Sequence, residues 1–201
     1  MSSNKVVIIE LGCANTASVK FALERLGADV TLTADATEIV NAPRVVLPGV
    51  GAAGYVMGRI HELGLYDTIR GLSQPLLGVC LGQQLLFESS EEGDVDCLGL
   101  IPGKVRQLTA RPDLVVPHMG WNQLTVTQDD PLTEGLTNGD YAYFVHSFVC
   151  PVNEHTLITS DYDGPFAASV RKGNVWGCQF HPERSSAAGA KILDNFLKVS
   201  L

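Results

Sequence analysis

A chain of 201 residues, 45% hydrophobic and 18% charged, is an ordinary globular mixture and is long enough for one domain with a sizeable core. Its net charge of -8, with no cluster of Lys and Arg, argues against a nucleic-acid surface, and no uninterrupted apolar stretch could span a bilayer. Five cysteines without paired spacing, and a start at Met1-Ser2-Ser3-Asn4-Lys5 with no signal-peptide pattern, point to a reducing, cytoplasmic setting rather than a disulfide framework or a zinc site.

In chain order, Val6 to Glu10 reads as a buried strand. Thr16 to Leu26 reads as a helix that sets Val19, Ala22, Leu23 and Leu26 on one face, with Asn15 or Thr16 as its cap and Gly27 beyond its end. Val30 to Leu32 and Val45 to Leu47 are short strands, a loop opens at Pro48, and a helical stretch covers Tyr55 to Ser73. The apolar run from Pro75 to Val79 is the next strand, and the composition from Gln83 to Glu88 favours helix. This alternation predicts an α/β fold with a mainly parallel central sheet flanked by helices and sites beyond the carboxyl ends of the strands. From Leu98 to Tyr162 short strands such as Gln123 to Thr127 and Tyr141 to Phe148 add an antiparallel region. A hairpin at Lys172-Gly173-Asn174 leads into the strand Val175 to Phe180, and Ala187 to Val199 forms a closing helix. No linker, repeat or low-complexity tract divides the chain, so one domain over 1–201 is expected.

Gly78-Val79-Cys80-Leu81-Gly82 lies where the apolar strand gives way to helix, so the backbone must turn sharply at Cys80. Flanking glycines permit such a turn and a close approach of other backbone, which is the logic of a nucleophile elbow with sulfur in place of the serine oxygen. Exposed at a helix N-terminus, Cys80 is the candidate nucleophile; in isolation the same five residues equally suit a buried cysteine between two packing glycines. The late His181-Pro182-Glu183 shifts that balance. In an extended chain residues i and i+2 share a face, and proline holds the preceding residue extended, so the Glu183 carboxylate can orient the His181 imidazole toward the thiol. Cysteine, histidine and carboxylate are the parts of a nucleophilic acyl-transfer site. No P-loop or GxGxxG is present, and Gly49-Val50-Gly51 lacks a following Lys-Ser/Thr, so neither a phosphate cofactor nor a metal is expected.

On these motifs the chain resembles the class I, triad-type glutamine amidotransferases, whose GxCxGxQ elbow and late HPE match Gly78, Cys80, Gly82, Gln84, His181 and Glu183. Leu47-Pro48-Gly49-Val50-Gly51 resembles the oxyanion strand of that family, and Pro117-His118-Met119-Gly120-Trp121-Asn122, Tyr143-Phe144-Val145-His146-Ser147 and Gly12-Cys13-Ala14-Asn15 extend the likeness over essentially the whole chain. The PHMGWN, PGVG and YFVHS segments together resemble the branch that serves histidine biosynthesis. The resemblance implies hydrolysis of L-glutamine through a Cys80 thioester with His181 and Glu183 as partners, and an oxyanion held by the Leu81 and Val50 N–H groups. It further implies substrate contacts at Gly49, Gly51, Gln84, Ser147 and Phe148. Ammonia would pass to a cyclase partner, a (β/α)8 barrel that makes imidazole glycerol phosphate and an aminoimidazole carboxamide ribotide, across an interface that includes Asn15, Trp121 and Arg184.

Gln83, often Met in this branch, and Phe148, often Tyr, depart from the pattern, and Arg184 stands where Lys or Arg occurs. His146 reads as a structural histidine, because His181 already has a carboxylate beside it. Cys13, Cys97, Cys150 and Cys178 read as core residues. A glutaminase for another synthase, a stand-alone cysteine hydrolase and an inactive binding module are the competing readings; PHMGWN argues against the first and the intact triad against the last.

Overall fold

The computed structural model describes residues 4–12 and 16–199. In chain order the strands are β1 (Lys5–Ile9), β2 (Asp29–Thr33), β3 (Val45–Gly49), β4 (Leu76–Cys80), β5 (Ser89–Ser90), β6 (Val95–Asp96) and β7 (Lys104–Gln107). They continue as β8 (His118–Gln123), β9 (Thr125–Val126), β10 (Tyr141–His146), β11 (Phe148–Val149), β12 (Thr156–Asp161), β13 (Pro165–Lys172) and β14 (Val175–Cys178). The helices are α1 (Thr16–Arg25), α2 (Ala36–Asn41), α3 (Ala53–Glu62), α4 (Tyr66–Arg70), α5 (Leu81–Leu85) and α6 (Ser186–Lys198), with 3₁₀ turns at Pro131–Thr133 and Pro182–Arg184.

An eight-stranded sheet runs in the order β2-β1-β3-β4-β14-β13-β12-β9. Its first five strands are parallel, and β13, β12 and β9 then continue antiparallel. Because side chains alternate along a strand, Val6 and Ile8 of β1 pack against α1 and α6, whereas Val7 and Ile9 pack on the opposite face with α3 and α5. Both faces are therefore core, which is why these strands are continuous apolar runs rather than alternating ones. Two smaller pieces stand apart from the main sheet: the antiparallel ribbon of β8 and β10, and a four-stranded sheet in the order β11-β7-β5-β6. The α/β class and the added antiparallel region are as expected.

Several boundaries differ from the sequence reading. Helix α2 was not anticipated, although Asp35 caps it by accepting a hydrogen bond from the Glu38 N–H at 3.0 Å. The stretch from Tyr55 to Ser73 is two helices, parted where Gly64 takes φ +66°. Helix α5 stops at Leu85 because the next carbonyls are claimed from elsewhere: Leu86 O accepts from Leu100 and Ile101, and Phe87 O from Gly99. The loop expected at Pro48 opens after Gly49. Pro48 is tolerated because β1 pairs with β3 only at Val45 and Val46, so its missing N–H is not called on. The strand expected over Gln123 to Thr127 is present only as the short β9 at Thr125–Val126, the longer β8 ending at Gln123 was not expected, and the run from Tyr141 to Phe148 breaks at Ser147.

Candidate active site

Strands β4 and β14 are parallel neighbours, with Gly78 opposite Gly177 and Val79 opposite Cys178, so their carboxyl ends deliver Cys80 and the segment leading to His181 to one place. At Cys80 the backbone has φ +54°, a strained conformation for a side chain other than glycine. The flanking glycines make it possible. A Cβ on Gly82 would lie 2.0 Å from Leu47 O, and one on Gly78 would lie 2.6 Å from Gly82 O. Cys80 is only 7% exposed, so the expectation of an exposed sulfur is corrected: the residue is buried and borders a cavity. Val145 O and Gln179 Nε2 lie 3.9 Å from the sulfur.

The pairing of His181 with Glu183 holds, but for a different local reason. β14 ends at Cys178 and Pro182–Arg184 is a 3₁₀ turn, not a continued strand. That turn folds the carboxylate back so that His181 Nδ1–H donates to Glu183 Oε1 at 2.9 Å. Three bonds hold the histidine backbone: its N–H donates to Tyr143 O at 2.9 Å, and its carbonyl accepts from Ser185 Oγ at 2.6 Å and from the Arg184 N–H at 3.0 Å; Ser185 Oγ in turn accepts from the Tyr143 N–H at 2.9 Å. Gly189 of α6 lets the turn sit on the helix, since a Cβ there would lie 2.0 Å from Pro182 O. Burial opposes the charged imidazole, but the Cys80 sulfur and the Glu183 carboxylate outweigh it and hold the pKa up to about 10. His181 Nε2 is buried without a hydrogen-bond partner, as is Glu183 Oε2.

The cavity, about 460 Å³, is bordered by Cys80, His181, Val50, Gly51, Leu81, Gln84, Ser147, Phe148 and Arg184, so most residues singled out from the sequence converge. Gly49 does not border it. That residue packs against the elbow, where a Cβ would lie 2.8 Å from Gly82 N. Gln84 is not an exposed helix residue but is buried, donating both amide hydrogens, to Phe148 O at 3.0 Å and Gln179 Oε1 at 2.9 Å. Trp121 lies outside the cavity, 52% exposed on β8; its ring is 6.1 Å from that of Tyr143, over which Arg184 sits at 5.1 Å. Asn15 and Cys13 lie outside the described residues. Cys97, Cys150 and Cys178 are buried free thiols, and burial, the largest cause in each, pushes all three above the ordinary range.

Two functional candidates escaped the sequence reading. Gln179 bridges Gln84 and the thiol, and Glu92 brings a carboxylate to the cavity wall with Oε2 accepting from the Ala53 N–H at 2.7 Å. Neither lies in a motif whose spacing marks it. His146 is as expected: its Nδ1–H donates to Phe148 O at 2.9 Å, and burial lowers it to about 3. Gln83 points away from the cavity, donating to Ala167 O at 2.9 Å, so this departure does not shape the pocket. Among the described residues no group of three or more His, Cys, Asp or Glu converges for a metal ion.

The family model for glutamine amidotransferase class-I matches residues 7–199. The imidazole glycerol phosphate synthase subunit HisH of Colwellia psychrerythraea is 48% identical, over 99% of this chain and 95% of that protein. The same-named protein of Xanthomonas axonopodis pv. citri is 52% identical, over 97% and 98%. Among solved structures, that of a glutamine amidotransferase superposes with a TM-score of 0.73 at 21% identity, over 96% of this chain and 97% of that one.

Proposed function

Because the chain belongs to the class-I glutamine amidotransferase family, we propose that it is the glutaminase subunit of an imidazole glycerol phosphate synthase in histidine biosynthesis. It works as one cytoplasmic domain over residues 1–201 beside a cyclase subunit built as a (β/α)8 barrel. The observation that carries the reading is the meeting of Cys80 and His181 at one cavity, with Glu183 hydrogen-bonded to the histidine from behind, in a chain akin throughout to subunits of that synthase.

The Cys80 sulfur attacks the side-chain amide carbon of glutamine and forms a C–S bond. His181 gives its proton to the nitrogen as the C–N bond breaks, and ammonia leaves. Water then adds to the γ-glutamyl thioester, His181 takes its proton, and glutamate departs as the thiol is restored. A histidine held near 10 carries the proton that the first step needs at neutral pH. Glu183 fixes the tautomer, leaving Nε2 for the reacting atoms. The Leu81 and Val50 N–H groups receive the oxyanion, each such donor being worth about 2.7–4 kcal/mol of barrier.

Gly51, Gln84, Ser147 and Phe148 form the substrate wall, Gly49 admits the elbow, and the Glu92 carboxylate suits an α-ammonium. Trp121 and Arg184, flanking Tyr143, present an aromatic and cationic surface for the partner. Val50 lies between Gly49 and Gly51, the latter at φ +100°, so its peptide can turn its N–H toward or away from the oxyanion. A partner ligand that favours the inward state raises the rate by that difference alone.

The test compares ammonia release by the isolated chain, by its complex with the cyclase, and by the complex with acceptor nucleotide bound. Rates should rise in that order. Equal rates would favour a stand-alone hydrolase, and stimulation by an unrelated synthase alone would move the assignment to another amidotransferase.

A further inference from the structure

A chain of directional hydrogen bonds runs from β8 to the cavity wall. Phe148 O can only accept, so the bond at 2.9 Å requires His146 to carry its hydrogen on Nδ1. In a neutral ring Nε2 is then an acceptor, and it receives His118 Nδ1–H at 3.0 Å. His118 Nε2 in turn accepts from Asn122 Nδ2 at 3.3 Å, whose second hydrogen goes to Asp161 O at 2.8 Å. Burial lowers His118 to about 4 and His146 to about 3, consistent with both rings being neutral. Phe148 O also accepts from Gln84, which continues through Gln179 to the Cys80 sulfur. On β8, His118 faces inward while Met119 and Trp121 are exposed.

We infer that His118 and His146 are positioning residues that aim the Phe148 carbonyl and, through it, the Gln84 wall of the glutamine site. This role rests on the reading of the cavity as a glutamine site. His146 borders the cavity, but its two ring nitrogens are engaged by Phe148 and His118, so the pair sets how well substrate is held rather than how fast the held substrate reacts. They also make β8 a two-sided element: a shift of its outer face displaces the inner donors.

Two substitutions at one position separate this role from mere packing. Asparagine places an amide nitrogen near the imidazole Nδ1, so His146→Asn keeps the bond to Phe148. Glutamine reaches the Nε2 position, so His146→Gln keeps the bond from His118 and loses the one to Phe148. In the full chain assembled with its cyclase, His146→Gln should raise the KM for glutamine about tenfold and change kcat less than about threefold. His146→Asn should raise KM by no more than about threefold. Equal KM in the two variants, whether raised or not, overturns the proposal, because a packing role would lower both melting temperatures without separating KM. If either fails to fold, Asn122→Ala at the partly exposed end replaces the pair: raised KM at near-constant kcat supports the role and unchanged KM overturns it. An unsubstituted complex that releases no ammonia from glutamine refutes the cavity reading and this role together, whereas activity with unsplit KM refutes the role alone.

Discussion

Cys80 combines a strained backbone with a nearly enclosed sulfur, and both follow from glycines at 78 and 82 that no other residue could replace without collision. A glutamine-mimicking electrophile such as diazo-oxo-norleucine should label this thiol alone, because Cys97, Cys150 and Cys178 are at most 2% exposed. Mass spectrometry showing modification of one of those three with Cys80 intact would reject the assignment, and Cys80→Ala should end hydrolysis without unfolding the chain. Within the triad, His181→Ala should nearly abolish turnover since both proton transfers pass through it, while Glu183→Gln should retain more because it disturbs orientation only. Steady-state kinetics on folded variants giving the reverse order would contradict these roles. The triad is legible in sequence because each part sits in a short motif with a local geometric demand. Gln179 and Glu92 are not, because Gln179 is brought beside the thiol by the pairing of β14 with β4, and Glu92 is brought to the cavity by its contact with the start of α3.

At the level of elements, the site depends on two close approaches of backbone: α5 against the end of β3, and α6 against the Pro182–Arg184 turn. Gly189→Ala forces a methyl to within 2.0 Å of Pro182 O, so it should cost about 1–3 kcal/mol and disturb His181 as well. Gly58→Ala, in the exposed interior of α3 with open space around it, should instead stabilise by about 0.5–1 kcal/mol. Urea denaturation and glutaminase assays on the two variants check the contrast, which fails if both shift stability the same way. Helix and strand identities in the first half were readable from periodicity, yet the stops were not. Propensity carries α5 on through Phe87 and Glu88; Leu100, Ile101 and Gly99 donate to the carbonyls of Leu86 and Phe87 and divert the chain. The one overlooked helix, α2, had its signal in Asp35 and Glu38, a cap too short to stand out beside the apolar patterns.

For the molecule as a whole, histidines of opposite character bound the pH range of stability. His118 and His146, held at about 4 and about 3, stay neutral in the folded chain while the unfolded chain takes up protons below about 6.5. Stability should therefore fall as pH drops from about 6.5 toward 4, by up to about 1.4 kcal/mol per unit for each ring. His181, raised to about 10, works the other way: its contribution is complete below about 6.5 and is lost as pH climbs through 10. Urea midpoints at pH 5, 7 and 9 should peak near neutrality, and replacing His118 and His146 together by Gln should flatten the acid side; an unchanged acid slope would contradict this. The parallel half of the sheet was legible from alternating strands and helices, and the β13–β14 hairpin from its turn, whereas the insertion of β14 beside β4 is a long-range pairing that no local pattern records. That insertion has a consequence for biosynthesis on the ribosome. β4 emerges early and remains an open edge until the end of the chain supplies its outer neighbour, so Cys80 waits without His181 for about half of translation. A chain cut short of β14 lacks His181 and carries β4 as an exposed strand edge, which is a template for association with other chains. Ribosome-tethered chains of increasing length should gain electrophile reactivity at Cys80 only after β14 and His181 have cleared the exit tunnel; reactivity in shorter chains would show the thiol to be armed without them.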